Sequence, residues 1–168
     1  MTAAPTLAGE RADLLQVLAK HRGFLRYTVA GITDEQARLT PTASQLSLGG
    51  LIKHVSAVEK QWLAFITGGA EGMMAEPADW ENGFRMTDGE TLAGLLDGYE
   101  KVAAATDALV ATHPSLDEAH PLPEAPWFEA GASWSVRRTL MHIVAETSQH
   151  AGHADILRET LDGQKTMG

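Results

Sequence analysis

The sequence predicts an all-α protein built as a four-helix bundle. Four stretches of about 20 residues repeat apolar side chains at three- and four-residue steps, no stretch reads convincingly as a strand, and glycines and prolines punctuate the connections. The first helix is expected over residues 10–30, where Leu14, Leu15, Val17, Leu18, Leu25 and Val29 form the apolar side. Gly31 follows it, and Thr33-Asp34-Glu35-Gln36 caps a short helical turn before Pro41. Ser47 stands as N-cap of a second helix over roughly residues 48–67, with Leu48, Leu51, Val55, Val58, Trp62 and Phe65 as its stripe and Gly68-Gly69 as its stop. Residues 70–89 show no clear period and read as a long connection of the kind that often covers a site.

A third helix is expected over residues 91–112, with Leu92, Leu95, Leu96, Tyr99, Val102, Leu109 and Val110 facing the core and His113-Pro114 ending it. Pro114, Pro121, Pro123 and Pro126 argue against any regular element over residues 114–132 and leave Trp127 and Phe128 on a loop, placed to wall a pocket. Ser135 caps the last helix, which reaches Leu161 and stops at Asp162-Gly163.

Composition narrows the function classes. A chain of 168 residues with 44% hydrophobic side chains is expected to form one domain over residues 1–168. Its net charge of -9 lacks the basic footprint that phosphate-backbone binding needs, so nucleic acid is not an expected partner. With no cysteine, disulfides, thiolate metal sites and a protein-borne thiol nucleophile are excluded, and any thiol chemistry must use a borrowed thiol. Residues 1–9 lack a basic leader followed by an apolar run, and no stretch approaches a membrane span, so the expectation is a soluble, cytoplasmic protein without membrane contact.

The chemistry concentrates on the last helix. His142, Glu146, His150 and His153 fall within an arc of roughly 80° along the edge of its apolar face, which carries Val136, Leu140, Ile143, Leu157 and Leu161. Burying a carboxylate among imidazoles is costly unless they are paired or metal-bound. Glu146 and His150, at i and i+4, can reach one ion from successive turns, and His54 at the margin of the second helix's stripe supplies a third ligand. Two His and one Glu with no evident fourth ligand is the pattern of a catalytic zinc-type site with an open position. Taken singly, His54 also fits a hydrogen-bonded core histidine, and Glu146 with His150 an ordinary helix pair. His142 and His153 fit as groups that orient the ligands or a substrate. His21, His113 and His120 are given no role. Arg137, Arg138 and Arg158 read as surface charges or carboxylate partners that can also bind a substrate, and Trp62, Trp80, Trp127 and Trp134 as core or loop anchors.

The run Ser47-Leu48-Gly49-Gly50-Leu51-Ile52-Lys53-His54-Val55, continued by Val58-Glu59-Lys60-Gln61-Trp62, together with the run from His142 through Glu146 and His150 to His153 and on to Glu159, resembles the DinB-like superfamily. Within it, the pattern is similar to the branch of mycothiol-dependent maleylpyruvate isomerase and mycothiol S-transferases. The opening helix and the turn from Gly31 to Gln36 also fit. The resemblance implies an up-down-down-up four-helix bundle with a metal held by His54, Glu146 and His150. DinB proteins usually carry three histidines, so Glu146 in the middle position favours the mycothiol-linked branch. Arg138 is a departure, since relatives often carry tryptophan there.

The leading expectation is a metal-dependent thiol transferase or isomerase. A divalent ion, zinc foremost with nickel, iron or manganese also suited, activates a low-molecular-weight thiol such as mycothiol against a small-molecule electrophile. His153 and His142 are its candidate catalytic residues, orienting the thiol or shuttling a proton, and Arg158 and Trp127 its candidate cofactor-binding residues. A metal-dependent hydrolase, with His153, Glu59 or Asp155 as base, and a non-catalytic metal-binding protein are the alternatives. A homodimer is compatible with a small bundle bearing exposed aromatics.

Overall fold

The computed structural model describes residues 9–76, 79 and 81–166. Its long helices are α1 (Glu10–Tyr27), α3 (Leu48–Ala75), α4 (Leu92–Thr112) and α5 (Val136–Asp162), with a short α2 (Asp34–Arg38) between the first two. Side-chain caps fix the starts of all these helices but α1. Ser47, Thr91 and Ser135 each accept the backbone N–H three residues on, and Thr33 with Gln36 forms a reciprocal capping box. Gly163 ends α5 in the left-handed region at φ 81°.

Contacts between helices give their directions. Arg11 donates to the Val110 carbonyl and Arg26 pairs with Glu100, so α1 and α4 run oppositely. Arg137 pairs with Glu10 while Arg158 donates to the Thr28 carbonyl at 2.9 Å, so α1 and α5 run together. His54 packs on His150 and Trp62 on His142, which sets α3 against α5. The result is the up-down-down-up bundle, with α3 and α4 parallel and joined by the long connection.

Two apolar clusters fill the bundle, one around Leu25, Leu51, Val55 and Tyr99, the other around Leu18, Phe65, Leu140 and Ile143. Between these levels Arg22 and Glu59 form a buried ion pair, Arg22 Nε lying 3.2 Å from Glu59 Oε2, and Arg22 also reaches Asp107 at 2.7 Å. Burial alone would lower the Arg22 pKa, but the charge and hydrogen bonds of Glu59 outweigh it and raise it.

The structure corrects three expected boundaries. The first helix ends at Tyr27 rather than Ala30, where Arg158 takes up the Thr28 and Ala30 carbonyls. The helix expected to stop at Gly68-Gly69 continues to Ala75: Gly69 alone turns to φ 62°, ψ -153°, and helical turns resume beyond it. His120 covers this kink, with Nε2 3.2 Å from the Ile66 carbonyl. The proline-rich stretch does hold a regular element. Ala119–Pro121 (β1) pairs antiparallel with Ser133–Ser135 (β2), and Pro121 is tolerated because both strands of a two-stranded ribbon are edges.

Candidate metal centre

Helices α3 and α5 face each other across a pocket of about 920 Å³, and three polar side chains meet at one end of it. One turn of α5 separates Glu146 from His150, and α3 contributes His54. One ligand atom from each of the three lies within 4.8 Å of the others, close enough to share one ion. His150 Nε2 is 3.5 Å from one Glu146 oxygen, and His142 Nε2 is 3.5 Å from the other. His54 meets His150 edge to face at 4.7 Å between ring centroids.

The protonation states suit a cation. Burial, reinforced by His150, lowers the His54 pKa to about 4, so its ring is neutral at pH 7. Desolvation also lowers that of His142. The hydrogen bond from His150, with the neighbouring imidazoles, keeps Glu146 below the usual carboxylate value. Neutral imidazole beside an ionised carboxylate is the donor set a divalent ion requires, so the residues fit the metal.

The surroundings hold these groups in place. His153 Nδ1 lies 3.4 Å from His150 Nδ1, on the side of the ring away from Glu146. His142 sits edge-on to both Trp62 and Trp134, at 4.9 and 5.0 Å. Phe84, from the connection after α3, stacks on His54 at 3.7 Å with planes 21° apart. The connection can approach this closely because α3 begins with two glycines. A Cβ at position 50 would stand 1.9 Å from the Phe84 carbonyl oxygen, and one at position 49 would stand 2.6 Å from Met86 Sδ. Lys53 ties the same connection through Glu90 at 3.0 Å, whose other oxygen accepts from the Thr87 N–H at 2.7 Å.

Of the residues singled out in the sequence, His54, Glu146, His150 and His142 line the pocket, and Trp127 stands at its rim with 65% of its surface exposed. His153 backs His150 from outside the lining. Arg158, expected to bind a cofactor, is not brought to the pocket. Its guanidinium is buried and donates to the carbonyls of Thr28 and Ala30, to Asp162 at 2.9 Å and to Gln164, which locks α5 to the end of α1. Trp80 lies outside the described residues. Phe84 escaped the sequence reading, and the pair Gly49-Gly50 inside a helix start was the signal that something packs against it.

A four-helix bundle in which two facing helices present His, Glu and His to one point defines a DinB-like protein with a candidate metal centre. More narrowly, the chain belongs to the mycothiol-S-transferase family, whose model matches residues 13–163. The fold is similar to the crystal structure of a conserved protein from Enterococcus faecalis, at a TM-score of 0.69 and 15% identity over 94% of this chain and 100% of that one. No curated protein matches the sequence. Among the described residues no helix is long and apolar enough to cross a membrane.

Proposed function

We propose that the protein is a metal-dependent thiol S-transferase or isomerase that joins a low-molecular-weight thiol of the mycothiol type to a small electrophile. The convergence of His54, Glu146 and His150 within 4.8 Å at the end of a largely apolar pocket carries this reading. The family supports it, and a chain without cysteine must take its sulfur from a cosubstrate.

In this reading the three side chains hold one divalent ion, zinc foremost. Bound there, the ion supplies a Lewis-acid position that makes a thiol more acidic. His142, beside Glu146 and walled by Trp62 and Trp134, accepts the thiol proton, and His153 fixes the ring of His150 through its Nδ1. The sulfur then bonds to the electrophilic carbon, and the leaving group departs with its electron pair. In an isomerase the sulfur adds and departs again without net change. Trp127, Phe128 and Trp134 exclude water from the apolar body of the acceptor. Two of the three bases that a hydrolase would draw on are otherwise engaged, Glu59 with Arg22 and Asp155 with the Thr166 N–H at 2.7 Å. The same reading takes the protein as one cytoplasmic domain, monomer or homodimer, acting on small molecules rather than nucleic acid.

The test pairs elemental analysis with an assay of mycothiol and 1-chloro-2,4-dinitrobenzene, where the sulfur replaces chloride. The reading requires metal-bound wild type to form the conjugate, and chelated protein, His54→Ala and Glu146→Ala to lose both metal and turnover. Metal-replete protein that leaves mycothiol untouched across a panel of electrophiles, or cleaves esters with no thiol present, overturns it.

A further inference from the structure

The described arginines are mostly committed. Arg22, Arg26, Arg137 and Arg158 each pair with a carboxylate, and Arg11 and Arg38 donate to backbone carbonyls. Arg138 differs from its neighbour Arg137 in this respect. It lines the pocket, is solvent-exposed and pairs with no carboxylate among the described residues, while its guanidinium lies 4.0 Å over the Trp134 ring. It is the only lysine or arginine among the described residues that line this pocket.

We infer that Arg138 is a carboxylate-binding residue of the acceptor site, and that the acceptor is an elongated apolar molecule ending in a carboxylate. The assignment of the anion to the acceptor rests on the thiol-transfer reading, but the anion site does not. Three observations carry it. Contact with the Trp134 ring holds the guanidinium at the pocket wall with no side-chain hydrogen bond among the described residues, and a planar fork of donors matches a carboxylate in two parallel hydrogen bonds. Arg138, His142 and Glu146 follow one another at four-residue steps along α5, so the helix separates the arginine from the candidate metal centre by about 12 Å. Apart from His142, the wall between them is aromatic, with Trp134 and Trp62 stacked at 4.8 Å and Phe128 edge-on to both. In the metal-free pocket the carboxylates Glu124 and Glu146 repel an anion elsewhere, which leaves Arg138 as its seat.

The probe is 5-phenylpentanoate beside its uncharged amide, titrated into wild type, Arg138→Gln and Arg138→Lys and followed by tryptophan fluorescence. Each titration is run on chelated and on zinc-loaded protein. In chelated wild type the carboxylate binds about tenfold more tightly than the amide. The ratio falls to near one in Arg138→Gln, and Arg138→Lys recovers part of it. A ratio near one in wild type, or a preference that survives Arg138→Gln, overturns the inference. So does a preference that appears only with zinc and ignores the substitution, since the carboxylate then sits on the ion. Mycothiol affinity of the zinc-loaded protein stays unchanged in Arg138→Gln, and a parallel loss moves the anion from acceptor to thiol and overturns the acceptor assignment. Carboxylate selectivity in a protein that never turns over mycothiol leaves the anion site standing and removes only the transferase reading.

Discussion

The ring of Phe84 lies on that of His54 with centroids 3.7 Å apart, so a residue of the long connection covers one of the three candidate metal ligands. The contact exists because Gly50 lets the Phe84 backbone touch α3. Gly50→Ala places a methyl 1.9 Å from the Phe84 carbonyl oxygen, and backbone cannot yield as a side-chain tip does. The expected result is a loss of about 1–3 kcal/mol of stability and a weakening of metal affinity by about 10- to 100-fold as the Phe84 cover lifts. Urea melts and a competitive chelator titration measure the two effects. Gly98→Ala is the control, since nothing lies within 4 Å of a Cβ there. Unaltered metal affinity in a destabilised Gly50→Ala protein would show that the cover plays no part in holding the ion.

The ligand set predicts a specific pattern of metal loss. His54→Ala, Glu146→Ala and His150→Ala each remove one of three donors and drop occupancy from about one ion per chain to near zero at micromolar protein. His153→Leu keeps the three donors and removes only the contact to His150 Nδ1, so metal affinity falls by about 10- to 100-fold rather than vanishing. Elemental analysis after dialysis against a fixed chelator concentration separates the two classes. Equal loss in all four would make His153 a ligand.

The candidate ligand cluster was legible because its signal is local. Four polar groups on one arc of a helix that otherwise buries leucine and isoleucine call for an explanation, and spacing alone pairs Glu146 with His150. Features set by distant contacts were not legible. Gly68-Gly69 carries the usual mark of a helix end, yet only Gly69 takes positive φ, and the side chain that covers the kink is His120, far along the chain. The β1–β2 ribbon rests on three residue pairs between segments too short to show a period, one of them ending in a proline. Arg158 follows the candidate ligand run closely in sequence, but two more helical turns carry it past the pocket to the end of α1, where the carbonyls of Thr28 and Ala30 claim it. Sequence proximity to a site is a poor guide along a long helix, because each residue advances it by about 1.5 Å.

Metal-free protein should weaken on acidification. The folded pKa of His54 is about 4 against 6.5 for a free imidazole, chiefly through burial, and that of His142 is lowered for the same reason. Between these values the unfolded chain binds protons that the folded chain refuses, so stability is level above pH 6.5 and falls as pH drops toward 4. Below about pH 4.5, protonation of Glu146, whose folded pKa is also lowered, continues the decline. Urea melts of chelated protein at a series of pH values give the slope, and His54→Phe should flatten it in the upper part of this window. A metal-free protein that gains stability over the same range would contradict the burial of neutral imidazoles.

The pair Arg22–Glu59 makes the sharpest stability prediction. Both side chains are almost fully inaccessible, at 5% and 1%, and they sit where apolar clusters meet, so each neutralises a charge that water cannot reach. Removing one partner strands the other. Glu59→Leu leaves Arg22 with only the half-exposed Asp107 and should cost about 3–5 kcal/mol. The double variant Arg22→Met with Glu59→Leu removes both charges and replaces them with apolar groups, so it should recover most of that loss, and it can exceed wild type because the desolvation penalty of both ions is gone. Neither residue lines the pocket of the candidate metal centre, so metal occupancy of the folded double variant should match wild type. Denaturant melts of the two single variants and the double variant, closed as a thermodynamic cycle, measure the coupling. Single substitutions costing under about 1 kcal/mol would mean that solvent enters the bundle at this level.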